Sequence, residues 1–294
     1  MASLQANGIE IEYEEFGNAE GRPLLLIMGL GAQMTLWDEE FCEMLSDRGH
    51  WVIRFDNRDV GLSTKFEQAG VPDVAEVVAA LQKQEPTKAP YLLSDMADDA
   101  AGLLDALGIE SAHIVGASMG GMIAQAFAIE HPRRALSLTS IMSTTGHPEL
   151  PPATPEAMAV LTAPPTTDRA ENIERSVASS RVIGSPGFPR DEARIRERAG
   201  RSFDRCFYPE GTARQMAAVV ASGSRREALA ELSIPTLVIH GKADQLVRPE
   251  GGLDTHAAIP GAQLMLIEGM GHDLPPGTWP PITDAITKLT QQVT

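Results

Sequence analysis

The sequence predicts an α/β protein: a mostly parallel sheet with helices on both faces, interrupted by a helical insertion. Three observations carry this reading. Short apolar runs alternate with stretches of helical period from residue 9 to residue 142. The alternation stops between about 146 and 229, where prolines crowd and strand-like runs vanish. It resumes from 236 to 292. Parallel strands need a crossover between them, and a helix is the usual one, so this order implies helices packed against both faces of the sheet.

Taken in order, segment 9–16 alternates apolar and acidic residues, as a half-exposed strand of an antiparallel opening ribbon does. Pro23-Leu24-Leu25-Leu26-Ile27-Met28 is a continuous apolar run ending in Gly29-Leu30-Gly31, which reads as a central strand. A helical pattern follows over 37–47, then a strand over 51–56. Segment 92–107 places Met96, Leu103, Leu104 and Leu107 at helical spacing, and Gly108 ends it. A strand at 112–115, a helix at 119–130 stopped before Pro132, and a strand at 136–142 complete the first half. The insertion holds three amphipathic stretches, near 173–183, 191–207 and 212–221. After it come a strand at 236–240, a helix at 249–258, a strand at 263–267 and a helix at 279–292. Residues 1–145 and 230–294 should therefore form the core domain. Residues 146–229 should form a helical cap, inserted after the sixth strand, over the carboxyl ends where such sheets bind ligands.

Composition narrows the function. A chain of 294 residues with 43% hydrophobic content has enough apolar material for a sizeable core. A net charge of −16 disfavours binding to nucleic acid or to anionic membrane surfaces. The first residues carry no basic segment followed by an apolar one, and no run of about 18 apolar residues occurs. A cytoplasmic protein without a membrane span is the expectation. Its two cysteines, Cys42 and Cys206, are expected in different subdomains; they have no metal-site spacing and read as free thiols. No cofactor or metal is expected, and the sequence assigns no oligomeric state.

Gly116-Ala117-Ser118-Met119-Gly120 carries the strongest chemical signal. It follows a strand and opens a helix, the context of a G-x-S-x-G nucleophile elbow. The residues two before and two after the serine approach each other in so sharp a turn, so both must be small. A serine hydroxyl needs a base to become a nucleophile at neutral pH. Among seven histidines, His50, His113 and His131 suit packing or surface roles, and His147 and His256 lie near the cap and in a helix. His240 ends a strand near the site rim. His272 stands apart on the glycine-rich loop Gly269-Met270-Gly271-His272 after the last strand, which lets the imidazole fold back over Ser118. The base needs an acid to orient it. Asp244, four residues past the strand at 236–240, supplies one, whereas the end of the preceding strand, Ser143-Thr144-Thr145, has no carboxylate. The order Ser118, Asp244, His272 is the order found in α/β-hydrolase triads. The backbone N–H groups of Leu30 and Met119 are the candidate oxyanion donors.

Asp56-Asn57-Arg58-Asp59-Val60-Gly61-Leu62-Ser63 resembles the D-x-R-G-x-G-x-S loop of many α/β-hydrolases. With the three triad segments it makes the chain similar to that superfamily from about residue 9 to the end, most weakly through the cap. Met28-Gly29, Gly-Ala-Ser-Met-Gly and Gly-Met-Gly-His272 are similar to the aclacinomycin methylesterase group, enzymes that remove methyl esters from polyketide-derived substrates. The resemblance implies an α/β-hydrolase fold with a mostly parallel eight-stranded sheet, Ser118, Asp244 and His272 as triad, and Leu30 and Met119 as oxyanion donors. Two positions depart from the pattern. Met28-Gly29 stands where His-Gly is usual, and Asp59 replaces a glycine, which would alter the local turn.

The expected activity is carboxylic ester hydrolysis through an acyl-enzyme, on small to medium esters, methyl esters among them. Ser118 argues against dehalogenases and epoxide hydrolases, whose nucleophile is an aspartate. Met-Gly-Leu-Gly argues against a proline iminopeptidase, which would carry His-Gly-Gly-Pro-Gly. A carbon–carbon bond hydrolase, a cofactor-free perhydrolase and a non-catalytic ligand-binding relative share the fold and remain open. Arg194, Arg196, Arg198, Arg201 and Arg205, with acidic neighbours at helical spacing, read as a solvated helix face rather than an anion site.

Overall fold

The computed structural model describes residues 1–83 and 85–293. Its centre is a sheet of eight strands: β1 Ala2–Ala6, β2 Ile9–Phe16, β3 Arg22–Ile27, β4 His50–Phe55, β5 Ala112–Ala117, β6 Ala135–Ile141, β7 Thr236–Gly241 and β8 Gln263–Ile267. They lie in the order β1-β2-β4-β3-β5-β6-β7-β8. The opening ribbon pairs antiparallel with itself and with β4, and every other neighbour is parallel. β1 is the partner that the sequence reading implied but did not locate. Asn7 (φ 47) and Gly8 (φ 77) make the turn between the two strands of the ribbon.

The helices of the core are α1 Glu39–Ser46, α2 Val74–Gln82, α3 Leu93–Ala106 and α4 Met119–Glu130. Between β6 and β7 the chain forms α5 Pro155–Leu161, α6 Arg169–Ile183, α7 Glu192–Arg205, α8 Pro209–Ala221 and α9 Arg226–Leu229, with no strand. α10 Pro249–Ala258 and α11 Trp279–Thr290 close the chain. α2 was not anticipated. Asp73 caps it, accepting from the Ala75 N–H at 2.8 Å; seven of its nine residues are apolar but only Val77 is buried, so no polar face marks it out in the sequence.

The strands explain why their runs are continuously apolar. Leu25, Ile27, Ile53, Phe55 and Ile114 point into one core with α3 and α4. Leu24, Leu26, Val52 and Val115 point the other way, against Phe41 and Leu45 of α1 and Ile282, Ile286 and Leu289 of α11. With side chains alternating at period two and both faces covered, apolar residues run through these strands, and the polar ones buried there, Arg54 and His113 among them, are bonded to partners. Truncating one of these leucines to alanine would cost about 2–5 kcal/mol.

β3 is flanked by β4 on one side and β5 on the other. The chain therefore leaves β3 in one direction and reaches β5 in the other, which opens a crevice at the carboxyl ends of β3 and β5. Leu30 and Ser118 lie just past those two ends. Among the described residues no helix is long and apolar enough to cross a membrane.

Candidate active site

Ser118 joins β5 to α4 with φ 56 and ψ −121, a backbone conformation that costs an L-residue about 1–3 kcal/mol. Its surroundings enforce it. The Ser118 N–H donates to the Ile141 carbonyl at 2.9 Å, and its carbonyl accepts from the Ser143 hydroxyl at 2.8 Å. The glycines around it are dictated by space. A Cβ at Gly116 would stand 2.0 Å from the Gly120 carbonyl oxygen, and one at Gly120 would stand 2.1 Å from that of Ile27. The turn thus brings its two glycines together, as the spacing predicts.

His272 and Asp244 arrive from the loops after β8 and β7. His272 Nε2 lies 3.0 Å from Ser118 Oγ, and His272 Nδ1 lies 2.7 Å from Asp244 Oδ2. Asp244 is 2% exposed, and its other oxygen accepts from the Leu246 and Val247 N–H groups at 2.9 Å each. Burial pushes this carboxyl up, but the His272 and His240 imidazoles outweigh it and hold Asp244 at about 2. An ionised carboxylate only accepts hydrogen bonds, so the proton of neutral His272 sits on Nδ1. The Nε2 lone pair then faces the serine hydroxyl. The chain thus brings together the three side chains that the motifs single out.

The two candidate oxyanion donors flank the same crevice. Among the described residues neither the Leu30 nor the Met119 N–H has an acceptor in the protein. Met119 is the first residue of α4, so its N–H adds to the positive end of that helix. Gly29 brings the β3 loop against Ser118: a Cβ there would stand 3.1 Å from the Ser118 Cβ.

Several residues at the site carried no motif. His240 does not reach a rim. It is fully buried, its Nε2 donates to the Val247 carbonyl at 2.8 Å, and it stands 3.5 Å from Asp244 Oδ2. Ser185, in the connection between α6 and α7, accepts from the Gly271 N–H at 2.8 Å and donates to Asp273 Oδ1. Gln215 of α8 accepts from the Gly31 N–H at 2.8 Å and donates to the Arg58 carbonyl at 2.8 Å. The remaining histidines match packing or surface roles. His50 lies between Leu45 and Thr290, and His113 contacts Ser137, each held down to about 4 chiefly by burial. Cys42 is buried, which pushes its thiol up to about 12, and Cys206 is half-buried and also free.

The arginines of α7 correct the sequence reading. Arg194 and Arg198 reach Asp38, and Arg205 bonds Asp56 at 2.7 Å. These three tie α7 to the core, and only Arg196 and Arg201 pair with helical neighbours on the exposed face. Asp59 also differs from its expected effect. It takes the left-handed conformation that a glycine would (φ 68), and its carboxylate accepts two 2.8 Å bonds from Arg214 of α8 and one of 2.7 Å from Tyr91.

A family model described as alpha/beta hydrolase fold matches residues 22–275. A rhodomycin D methylesterase from Streptomyces sp. (strain C5) is 30% identical over 305 aligned positions, spanning 96% of this chain and 95% of that one. A 2-hydroxymuconate semialdehyde hydrolase from Pseudomonas sp. (strain CF600) is 29% identical over 269 positions, 91% and 85% of the two chains. Among solved structures, a meta-cleavage product hydrolase from Pseudomonas fluorescens IP01 has the same fold, with a TM-score of 0.78 over 99% of this chain and 98% of that one at 22% identity.

Proposed function

Because this chain belongs to the α/β-hydrolase fold family, we propose that it is a serine carboxylic ester hydrolase acting on small to medium esters, methyl esters among them. The observation that carries the reading is one line of contacts: Asp244 to His272 at 2.7 Å and His272 to Ser118 at 3.0 Å. The methylesterase relative supports the choice of esters.

In the reaction, His272 Nε2 takes the Ser118 proton as Oγ attacks the ester carbonyl. Asp244 stabilises the imidazolium that results. The oxyanion of the tetrahedral intermediate accepts hydrogen bonds from the Leu30 and Met119 N–H groups. His272 then gives its proton to the leaving alcohol, and an acyl-Ser118 ester remains. Water, deprotonated by His272, attacks that ester through a second tetrahedral intermediate and frees the acid. Residues 146–229 act as a cap that covers the acyl pocket and selects the substrate.

A second reading rests on the semialdehyde hydrolase relative: carbon–carbon bond hydrolysis with the same three side chains. Treating the protein with a fluorophosphonate and mapping the adduct tests the shared premise. A single adduct on Ser118, lost in His272→Ala, is expected. A panel of methyl and longer esters, a dienone, and esters with peroxide then separates esterase from carbon–carbon hydrolase and perhydrolase. Ester turnover that survives Ser118→Ala would refute the assignment.

A further inference from the structure

The Leu30 donor and the His272 base both sit on loops outside the strand ladders, so something must fix where they point. The core holds these loops at their roots. The Asn57 amide donates to the Met28 carbonyl at 2.9 Å, and the Ala243 N–H donates to that of Met270 at 2.9 Å. Their tips are held differently. The N–H of Gly31, next to Leu30, donates to Gln215, and the N–H of Gly271, next to His272, donates to the Ser185 hydroxyl, each at 2.8 Å.

We propose that Gln215 and Ser185 are positioning residues, through which the helical insertion holds the oxyanion loop and the histidine loop in their working conformations. This rests on the hydrolase reading above. Gln215 is fully buried and spans two backbone groups, accepting from Gly31 and donating to the Arg58 carbonyl at 2.8 Å. Because an N–H only donates and a carbonyl only accepts, the amide has one orientation, and both ends are used. Gly31 has φ 64, and a Cβ there would stand 2.7 Å from the Thr212 hydroxyl, one turn before Gln215 on α8. The loop is thus seated against the helix. Ser185 is equally committed: its hydroxyl accepts from Gly271 and donates to the largely buried Asp273, beside His272. The Ile183 carbonyl, at the end of α6, accepts the His272 N–H itself at 2.7 Å, so α6 and the connection that follows it together hold the loop of the base. The insertion is then a fixed part of the catalytic frame rather than a lid that swings clear of it.

The test compares Gln215→Met, Ser185→Ala and Ser185→Thr with wild type, and with Arg201→Ala on the exposed face of α7 as control. Kinetics on the best ester of the panel are paired with amide hydrogen exchange of peptides covering residues 28–34 and 268–274. A misplacement on the order of 1 Å costs about 100-fold, so kcat should fall about 10- to 100-fold with KM within about threefold. Ser185→Thr, which keeps a hydroxyl, should recover most of the loss, and Arg201→Ala should match wild type. Exchange should quicken at 28–34 in Gln215→Met and at 268–274 in Ser185→Ala, and not elsewhere. Unchanged kcat and exchange, or exchange that quickens across the whole molecule, would overturn the proposal. If wild type turns over no ester, the hydrolase reading falls, and loop-specific exchange alone decides whether these residues hold the loops.

Discussion

Replacing Asp244 by Asn changes one atom, and the structure fixes what that atom does. Asp244 Oδ1 accepts two backbone N–H groups, from Leu246 and Val247. In the variant the amide oxygen must take that place, because an NH2 group there would face two donors. The NH2 group then stands where Oδ2 was, 2.7 Å from His272 Nδ1. It can only donate, so His272 Nδ1 must accept and the ring proton moves to Nε2. Nε2–H would then point at Ser118 Oγ across 3.0 Å and could not take its proton. The geometry survives while the base is in the wrong tautomer, a change that costs about 10⁴-fold in kcat in a serine triad. The assay is kcat and KM on an ester near neutral pH, with circular dichroism to verify folding and fluorophosphonate labelling to follow the serine. KM should change little. A variant keeping more than about a tenth of wild-type kcat would refute the reasoning, since no such residue could be orienting the base.

Other outcomes follow from the same distances. Gly116→Ala should strip the protein of soluble, folded material, because its Cβ would meet backbone at 2.0 Å; expression and thermal melting would reveal it. Arg214→Met should leave the Asp59 carboxylate buried without its cation and cost about 3–5 kcal/mol in urea unfolding, with part of the loss recovered in the Asp59→Asn, Arg214→Met double variant. The Asp244 carboxyl is depressed from its ordinary 3.8 to about 2 in the folded protein. Its contribution, about 2–3 kcal/mol, is therefore complete above about pH 4 and lost as pH falls through 2. Urea midpoints measured down that range should drop less steeply in Asp244→Asn than in wild type.

The sequence announced what steric necessity writes into it. Gly116 and Gly120 are visible because no other residue fits beside Ser118, and His272 because glycines precede it in its loop. The central strands are visible because burial on both faces fills them chiefly with apolar residues, the few polar ones, such as His113, being held by partners. Elements held by few apolar contacts were less legible. β1 shows only Leu4 and Ala6 toward the core, and its plainest signal, Asn7-Gly8, is two residues long. The arginines of α7 have the spacing of a solvated face, and only the fold reveals that Asp38 and Asp56 stand opposite three of them. Gln215 and Ser185 lie in the insertion between β6 and β7, away from every motif the sequence shows. A polar residue bonded to backbone leaves no periodicity or motif to read.

The parallel pairing of β6 with β7 joins Leu138 to Thr236 across the whole insertion. Closing a loop of about a hundred residues costs little more than closing half that length, about 0.6 kcal/mol, so chain length scarcely constrains what is spliced between these strands. A designer wishing to retarget the enzyme has a natural cassette here, bounded by two core strands that already know their register. What the cassette must reproduce is local: a counter-charge for buried Asp59, and partners for the N–H groups of Gly31, Gly271 and His272. Grafts chosen for pocket shape alone would omit these attachments, and screening for them first would sort candidate insertions before any substrate is tried.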